Sequence, residues 1–361
     1  MNNSDLLGQQ HILVTGGAGF IGCAVSQKLA PYAASYLVID NLHPQVHDSR
    51  SRPAALHEAA ELITADVTLR DAWDSVLGRV RPTMVIHLAA ETGTGQSLTE
   101  ATRHASVNVV GTTQLTDAFG RHGIVPAHVI LSSSRAIYGE GAWRRSDGTV
   151  VYPGQRTRQQ LERGQWDFPT LTHEPSAAAR THPSPTSIYG ATKLAQEHIL
   201  LAWTSALKVP LSVLRFQNVF GPGQSLTNPY TGIVSLFCRM ASAGESIPVY
   251  EDGEITRDFV FIDDVAEAIV ASIASPPSST RTCDVGSGVA TSIRELAERI
   301  ASLYRAPPPH ICGKFRDGDV RRASCDVAPT TAALGWSARW PLDRSLEALQ
   351  RWIDQQHPHE A

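Results

Sequence analysis

The sequence predicts an α/β fold, a doubly wound parallel sheet followed by a smaller C-terminal α/β cap. Short apolar runs alternate with helix-like segments through the first half of the 361 residues, which is typical of β-α-β units with parallel strands. The runs are apolar without alternating polar positions, as expected of strands that helices cover on both faces. A glycine-rich loop directly follows the first run, where such folds bind ligands.

The apolar runs and the helical periodicity predict the elements in chain order. Main strands are predicted at 11–15, 35–40, 61–66, 83–90, 127–134 and 211–219, with shorter strands at 247–250, 258–262 and 281–285. Helices are predicted near 19–30, 70–78, 99–121, 188–206, 263–274, 292–304 and 343–354. We predict the sheet domain at 1–220 and the cap at 221–361.

Residues 139–186 interrupt this alternation. The segment is rich in Arg, Gly, Pro, Ser and Thr, includes Trp143, Trp166 and Phe168, and has no clean period. A stretch of this length without a regular pattern is usually functional or disordered rather than a plain connector. We therefore treat it as an insert in the sheet domain.

The composition is that of a folded globular protein, with 42% hydrophobic and 18% charged residues. The 31 basic and 35 acidic residues leave no broad basic field, and no apolar run is long enough to span a bilayer. We therefore expect no nucleic-acid or membrane partner. Five scattered cysteines without a C-x-x-C spacing are typical of a reduced cytoplasmic enzyme. No ligand spacing indicates a metal, and His43, His47 and His57 are interpreted as surface residues.

The run HILVTGGAGFIG (11–22) is the strongest local signal, because three glycines follow a strand and open a helix. Gly16 permits a sharp turn, Gly19 lets the backbone approach a pyrophosphate, and Gly22 lets the helix pack closely on the strand. The helix N-terminus, which begins with Phe20 and Ile21, adds free N–H groups and partial positive charge. The run predicts a Rossmann dinucleotide site, with an ordinary glycine-rich turn as the alternative.

Asp40 closes the second predicted strand about twenty residues after this loop. A carboxylate there accepts hydrogen bonds from both adenosine ribose hydroxyls and repels a 2′-phosphate, so it predicts NAD rather than NADP. The next residue is Asn41, and no Arg follows directly to reverse this preference. Asp66, followed by Val67, is predicted to contact the adenine edge. Capping of the following turn is the alternative for Asp66.

Tyr189 and Lys193 are four residues apart in a predicted helix, so both lie on one helix face. A free phenol is a poor base at neutral pH, but a neighbouring ammonium favours the phenolate and lowers the pKa. Tyr189 could then take a proton from a carbinol while hydride leaves to the cofactor. Ser134 ends the fifth predicted strand and is expected to hydrogen-bond the reacting oxygen. Capping is the alternative for this serine.

Together these motifs resemble the extended short-chain dehydrogenase/reductase family, and within it the nucleotide-sugar epimerases and dehydratases. The resemblance covers nearly the whole chain. TGGAGFIG resembles the family's cofactor loop, HLAA (87–90) its fourth-strand motif, SSSRAIYG (132–139) its hydroxyl catalyst and YGATK (189–193) its Tyr–Lys pair. RFQNVFGPG (215–223), TRDFVFIDDVAEAI (256–269) and FRDGDVRRASCDVAP (315–329) resemble its nucleotide-sugar segments.

The resemblance implies roles for further residues. NAD is the implied cofactor, and Leu88, Ala89, Ala90, Asn108, Tyr189 and Lys193 join Asn41 and Val67 among the residues implied to bind it. A nucleoside-diphosphate sugar is the implied substrate, and the residues implied to hold its nucleotide part are Asn218, Arg257, Arg316 and Asp319. Surface ion pairing is the alternative for each charged residue.

A departure from the family pattern favours one reaction. The 4,6-dehydratases place an Asp-Glu pair after the hydroxyl residue, whereas here Arg135 and Ala136 follow. Elimination of water therefore lacks its acid and base, while epimerisation at C4 needs only the Tyr–Lys pair, a hydroxyl and a permissive pocket. HLAAETGTGQS and SSSRAIYGEG resemble the branch that includes the dTDP-L-rhamnose 4-epimerases. In that alignment the residues that face the sugar are Glu91, Thr92, Thr94 and Arg135.

Two further expectations follow from the resemblance. The insert at 139–186 is expected to be a flap over the substrate, with a floppy surface loop as the alternative. A homodimer is expected through helices 99–121 and 188–206, with packing of their apolar positions on their own sheet as the alternative. UDP-hexose and UDP-hexuronate epimerases, a keto-sugar-nucleotide reductase or dehydrogenase, and a dinucleotide-sensing regulator are the alternatives for the whole protein.

Overall fold

The structure, a computed structural model, describes residues 7–47, 49–226 and 232–356. The strands are β1 (His11–Thr15), β2 (Ser35–Asp40), β3 (Ala60–Thr64), β4 (Met84–His87), β5 (His128–Ser134), β6 (Trp143–Arg144), β7 (Val150–Val151), β8 (Thr172–His173), β9 (Leu211–Phe216), β10 (Asn218–Phe220), β11 (Pro248–Val249), β12 (Thr256–Phe261), β13 (Thr280–Val285), β14 (Ala290–Ser292) and β15 (His310–Ile311).

The helices of the described residues follow the predicted order, with a few additions. They are α1 (Phe20–Leu29), α2 (Arg70–Leu77), α3 (Ala101–Ala105), α4 (Gly111–Arg121), α5 (Arg158–Glu162), α6 (Ile188–Leu207), α7 (Ile233–Ser242), α8 (Ile262–Ala274), α9 (Ile293–Tyr304), α10 (Ala328–Leu334) and α11 (Leu342–Gln356). A π-helical turn, Ser106–Val110, joins α3 to α4 within the single helix predicted at 99–121. None of these helices is both long and apolar enough to span a membrane.

The central sheet has seven parallel strands in the order β13-β9-β5-β4-β1-β2-β3. The strand order therefore reverses between β1 and β4, and this confirms the predicted doubly wound sheet. In such a sheet, ligands bind at the carboxyl ends of the strands beside the point of reversal. Thr15, Asp40, His87 and Ser134 all end their strands at this edge.

Both faces of the sheet are apolar, which explains why the strands show no alternation of polar residues. Ile12 and Val14 pack into one core with α1 and α8, whereas Leu13, between them, packs into the core on the other face. That second core contains Trp73 from α2 and Phe119 from α4. Each fully buried side chain of this kind contributes about 1.5–3 kcal/mol.

The strand predicted at 211–219 is in fact two strands in different sheets. β9 lies in the central sheet, whereas β10 pairs with β12 in a separate sheet of order β10-β12-β14. The chain changes partner at Gln217, whose backbone N–H still bonds the carbonyl of Val285 at 2.9 Å. Polar residues, Gln217 and Asn218, stand at this point, and the partner strands of the two pieces lie far along the chain.

Residues beyond the predicted boundary at 220 also contribute to the sheet domain. β13 forms the seventh strand beside β9, and α8 packs against α1. The C-terminal part of the chain thus supplies both an outer strand of the main sheet and the smaller sheets. The division at residue 220 remains a prediction.

The insert at 139–186 folds into a small antiparallel sheet of order β7-β6-β8 with the short helix α5. Trp143 is buried at its centre, with Phe168 and His173 packed edge-on against the indole at centroid distances of 4.9 and 5.3 Å. Ser176 joins this insert to the C-terminal part through backbone bonds to Ser324 and Asp326, both 2.9 Å. The insert is therefore packed structure rather than an irregular surface loop.

A buried ionic cluster ties the insert to the C-terminal part. Arg321 has a fully buried side chain and bonds Asp167 of the insert at 2.9 Å. The same guanidinium bonds Asp252 at 2.7 Å and Glu251 at 3.1 Å. Arg156, also buried, bonds Glu251 at 2.8 Å. Every arginine in the cluster thus has a carboxylate partner, and the insert is held against the cap.

Replacing Arg321 by Met should lower the free energy of unfolding by about 3 kcal/mol. The change leaves the buried Glu251 with fewer partners, and removing one member of a buried ion pair costs about 3–5 kcal/mol. Chemical denaturation measures the difference. The neighbouring Arg322→Met is the matched control, because Arg322 is partly exposed and contacts Asp167 only at 3.4 Å. If Arg321→Met has no larger effect than the control, the ionic cluster does not act as a clamp that holds the insert against the cap.

Candidate active site

The glycine loop after β1 has the geometry of a backbone cradle. Gly16 has a positive φ of 65°, and a Cβ there would lie 2.7 Å from the backbone of Ala89. A Cβ on Gly22 would lie 2.4 Å from the backbone of Gly17. Gly19 is the N-cap of α1 and offers no side chain, so the first N–H groups of the helix remain accessible from the loop. This cradle fits the pyrophosphate of a dinucleotide.

Asp40 lies beside this cradle and is 91% buried (9% exposed). Its carboxylate accepts hydrogen bonds from the backbone N–H groups of Ala18, at 3.1 Å, and Leu42, at 2.9 Å. The carboxylate is thus held against the loop, where the ribose of the same dinucleotide would lie. His47 approaches it at 3.7 Å and is largely buried, so the interpretation of His47 as a surface residue was wrong.

Asp66 caps the turn that follows β3. Its Oδ1 accepts hydrogen bonds from the N–H and the hydroxyl of Thr68, at 2.8 and 2.7 Å. Its Oδ2 lies 3.4 Å from the amide of Asn41, and Val67 accepts a bond from the indole of Trp73. The capping alternative for Asp66 therefore describes what the structure shows, and a contact with adenine remains a prediction.

Tyr189 stands in the first turn of α6, close to Ser134 at the end of β5. Burial raises the pKa of the Tyr189 phenol, while a hydrogen bond with the Ser134 hydroxyl and the charge of Arg135 lower it. Ser187 caps the helix through a 3.0 Å bond to the N–H of Gly190, which fixes where the helix begins. The predicted hydroxyl–phenol pair is thus brought together.

Lys193 follows one turn later and is 2% exposed. Its Nζ donates a 2.6 Å hydrogen bond to Oε1 of Gln196. Burial lowers the pKa of Lys193 to about 7, and the nearby charge of Glu197 opposes this change. The cation that lowers the Tyr189 pKa here is Arg135, and the predicted action of Lys193 on the phenol remains a prediction.

Asn108 lies in the π-helical turn, a local distortion that often marks functional sites. Its amide bonds the N–H and the carbonyl of Glu91, at 2.8 and 3.0 Å, and the hydroxyl of Thr192 at 2.9 Å. The side chain thus joins the segment after β4 to α6. Its contact with NAD remains a prediction.

A second buried chain of polar groups lies beneath Ser134, and the sequence analysis missed it. Glu197 receives both a bidentate ion pair from Arg215, at 2.7 and 3.0 Å, and a 2.5 Å bond from Ser133. Arg215 also bonds the hydroxyl of Tyr138, which in turn bonds Asp284, at 2.9 and 2.8 Å. Arg215 begins the RFQNVFGPG motif, so that motif has a structural role besides the predicted one.

The residues predicted to hold a nucleotide lie in the C-terminal part. Arg257 bonds Asp319 at 2.7 Å, and the Arg316 guanidinium lies 5.1 Å from the ring centroid of Tyr250. Asn218 begins β10 and is partly buried. The charges of Arg257 and Asp319 act on Arg135, whose pKa burial lowers to about 10. The nucleotide-side residues are therefore electrostatically connected to the residue that follows Ser134.

The loop after β4 carries the other residues predicted to face a sugar. The Glu91 carboxylate forms a 2.7 Å ion pair with Arg103. The carbonyl of Thr92 lies 3.4 Å from Nε2 of His104, and that of Thr94 accepts a bond from Ser97. Contact of these three residues with a sugar remains a prediction, and the Glu91 charge is already paired.

The fold and the site define a class of enzyme. A dinucleotide cradle, a ribose-accepting carboxylate and a Ser–Tyr–Lys group at one sheet edge are the features of an NAD-dependent enzyme that oxidises and reduces carbinols. A model described as the NAD dependent epimerase/dehydratase family matches residues 12–160 and 164–286. The chain belongs to this family, and its cofactor is NAD. Among the described residues, no group of three or more His, Cys, Asp or Glu could hold a metal ion.

Individual relatives narrow the comparison. The chain is 62% identical over 354 residues to a dTDP-L-rhamnose 4-epimerase of Burkholderia thailandensis, covering 98% of both chains. It is 31% identical to a UDP-glucose 4-epimerase of Mycolicibacterium smegmatis, covering 92% of this chain and 95% of that one. The solved UDP-glucose 4-epimerase of Thermotoga maritima with UDP-glucose is 27% identical, with a TM-score of 0.76 and coverage of 96% and 99%. That of Thermus thermophilus in complex with NAD is 25% identical, with a TM-score of 0.75 and coverage of 95% and 98%.

Asp40→Ala should weaken NAD binding by at least about tenfold, since at least one hydrogen bond to a charged group is lost. NADP should be affected far less, because the carboxylate repels its 2′-phosphate. Titration of each dinucleotide by calorimetry measures both constants. Asp40→Asn keeps the size of the side chain and an acceptor for one of the two N–H groups, of Ala18 or of Leu42, and serves as a control for damage to the loop. An unchanged preference between NAD and NADP in Asp40→Ala would undo the ribose assignment.

Proposed function

We propose that the protein is an NAD-dependent 4-epimerase that interconverts dTDP-L-rhamnose and dTDP-6-deoxy-L-talose. The observation that carries the substrate is the 62% identity to the Burkholderia thailandensis enzyme over 98% of both chains. The site supports the reaction type, because Ser134 and Tyr189 meet at the sheet edge beside the dinucleotide cradle.

The proposed reaction begins and ends with Tyr189 as a phenolate, which holds the substrate proton only while the sugar is oxidised. NAD, when bound, supplies a reversible acceptor for the hydride at C4 of the sugar. Tyr189 takes the proton of the C4 hydroxyl as general base, and Ser134 donates a hydrogen bond to the same oxygen. After the 4-keto sugar has turned, Tyr189 returns the proton as general acid. The chemistry therefore needs no external oxidant or reductant.

The charge next to Ser134 argues for epimerisation and against elimination. Arg135 and Ala136 stand where a dehydratase needs a carboxylate pair. The nearest acid in sequence, Glu140, is buried, accepts a bond from the N–H of Arg321 and lies 3.7 Å from Arg156. Its carboxylate thus belongs to the clamp that holds the insert.

The insert at 139–186 is proposed to cover the sugar as a fixed wall. A narrow cleft lies between it and the cap. Its lining includes Arg135 and Gln217 from the sheet domain, Gly139, Gly141 and Ser176 from the insert, and Arg322, Ala323 and Ser324 from the cap. A wall there would exclude water and retain the keto sugar. The ionic clamp through Arg321 holds this wall, the insert, against the cap.

Proton NMR of the purified enzyme with dTDP-L-rhamnose and no added cofactor tests the function. A new anomeric signal that grows to a constant ratio is the expected result, since bound NAD is regenerated in each cycle. If nothing changes, the assay is repeated with NAD and then with UDP-hexoses and UDP-hexuronates. Turnover of a UDP-sugar alone would show that the substrate is a UDP-sugar. Net consumption of added NAD or NADH would show that the protein is a dehydrogenase or reductase rather than an epimerase.

Tyr189→Phe is the control variant for this assay. It should keep NAD affinity and lose at least about a hundredfold in turnover, the usual scale of general acid–base catalysis. Near-normal turnover in Tyr189→Phe would remove Tyr189 from the mechanism.

We also propose a homodimer through α3, α4 and α6. Large apolar side chains are exposed on or beside these helices, namely Leu98 (59%), Val110 (43%), Leu201 (39%) and Leu207 (40%). An apolar set of this kind on neighbouring helices suits a helical interface between two copies.

A cytoplasmic location is proposed as well. All five cysteines are free thiols, which suits a reducing compartment.

Leu201→Glu should convert the dimer to a monomer, because a charge would be buried in the interface. Light scattering after size-exclusion chromatography reports the mass, which is 39.0 kDa for one chain. Leu69→Glu is the matched control, since Leu69 is 58% exposed and lies before α2. A wild-type mass of one chain, or a dimer that survives Leu201→Glu, would contradict this interface.

A further inference from the structure

Among the described residues, the Lys193 ammonium has one hydrogen-bond partner, the side chain of Gln196, which lies outside all the motifs. Oε1 of Gln196 accepts the 2.6 Å bond from Nζ, and both side chains are at least 98% buried, with exposures of 0% and 2%. Gln196 lies three residues after Lys193 on α6, so both side chains lie on one helix face. Tyr189, one turn earlier, lies on this face as well.

The Gln196 amide can point in only one direction. A protonated lysine has donors alone, so the amide must present its oxygen to Lys193. Its Nε2 then donates to Oγ1 of Thr112 at 2.9 Å and faces Nε2 of His87 at 3.2 Å. The Thr112 hydroxyl donates onward to the carbonyl of Asn108 at 2.6 Å. The Thr112 oxygen therefore still has a lone pair to accept the bond from Nε2 of Gln196.

His87 fixes the other side of the amide. Burial, and the charge of Lys193, lower the pKa of His87 to about 3, so the imidazole is neutral. Its Nδ1 bonds the hydroxyl of Thr15 at 2.7 Å, and Thr15 accepts the N–H of Ala89 at 3.2 Å. Nε2 of His87 lies 3.2 Å from Nε2 of Gln196 and 3.0 Å from Oγ1 of Thr112, so the ring contacts both ends of the Gln196–Thr112 bond. A connected set of polar contacts therefore runs from the ends of β1 and β4 to the lysine.

We propose that Gln196 is a positioning residue for Lys193, holding the ammonium on the face of α6 that carries Tyr189. Thr112 orients the Gln196 amide for this task, and His87 packs against both side chains. The inference rests on the proposed role of Lys193 in the epimerase, but not on which sugar is bound. The titratable groups whose charges couple with the lysine are His87 on β4 and Glu197 on α6, and Tyr189 lies one turn before it on the same helix.

The test observes Lys193 directly. The chain has only four lysines, Lys28, Lys193, Lys208 and Lys314. Protein labelled with ¹³C at the lysine ε carbon should therefore give four separable NMR signals, and Lys193→Arg identifies one by its loss. The wild-type Lys193 signal is followed with pH, with and without NAD. It should titrate far below the other three, because burial lowers its pKa to about 7.

Two substitutions of Gln196 should move this titration in opposite directions. Gln196→Met keeps the size but removes the acceptor, so Lys193 should lose its proton at lower pH than in the wild type. Gln196→Glu places a carboxylate against the ammonium, so the lysine should hold its proton to higher pH. NAD should bind Gln196→Met about tenfold more weakly, as expected when a charged group loses one hydrogen bond.

Thr204→Val is the matched control, because Thr204 is a fully buried polar residue on α6 that bonds only backbone carbonyls of Leu200 and Leu201. It should leave both the titration and NAD affinity unchanged. A merely structural role for Gln196 would lower stability in both variants without opposite shifts, and that result overturns the proposal. Should Gln196→Met fail to fold, a Gln196→Glu titration equal to the wild type would overturn it as well. The lysine titration and the NAD affinity are measured without a sugar, so a failed sugar assay would not affect either result.

Discussion

Parallel pairing at the centre of the sheet determines where every functional group lies. Thr15 pairs with Ile39 on one side and with His87 on the other, so β1, β2 and β4 end at nearly the same level. The glycine loop and Asp40 leave the sheet together, and Gly16 packs against the backbone of Ala89 with no room for a Cβ. A slip of one residue would turn each side chain to the opposite face and separate these groups.

Charge buried beneath this edge is the second constraint on the site. Lys193 and Glu197 are both enclosed on α6, and Arg215 neutralises Glu197 through two hydrogen bonds. Taking such groups out of water costs several kcal/mol each unless their partners are well placed. Around the clamp the same burial raises the pKa of Glu140 to about 7. Paired buried charges of this kind hold the site rigid, which suits a reaction that needs fixed donors around one oxygen.

The sequence predicts the placement of those residues whose position depends on local pattern. The cradle glycines, Asp40, Tyr189 and Ser134 each occupy a position set by the strand or helix that carries them. Boundaries were less certain, as the single strand predicted at 211–219 shows. The interpretation of the insert at 139–186 stayed open because its packing relies on Arg321, far along the chain. The role of Gln196 was missed for the same reason, since Thr112 and His87 are its partners.

The sequence by itself determined the class of fold, the place of the dinucleotide and the family. Periodicity and glycine spacing are local properties, and they are written within a few residues of each element. Only the tertiary structure decided that Lys193 bonds Gln196, that Glu91 is paired with Arg103, and that the insert is held by Arg321. These outcomes depend on contacts between distant segments. Buried charges select their partners by position in space, and the order of residues along the chain does not encode that position directly.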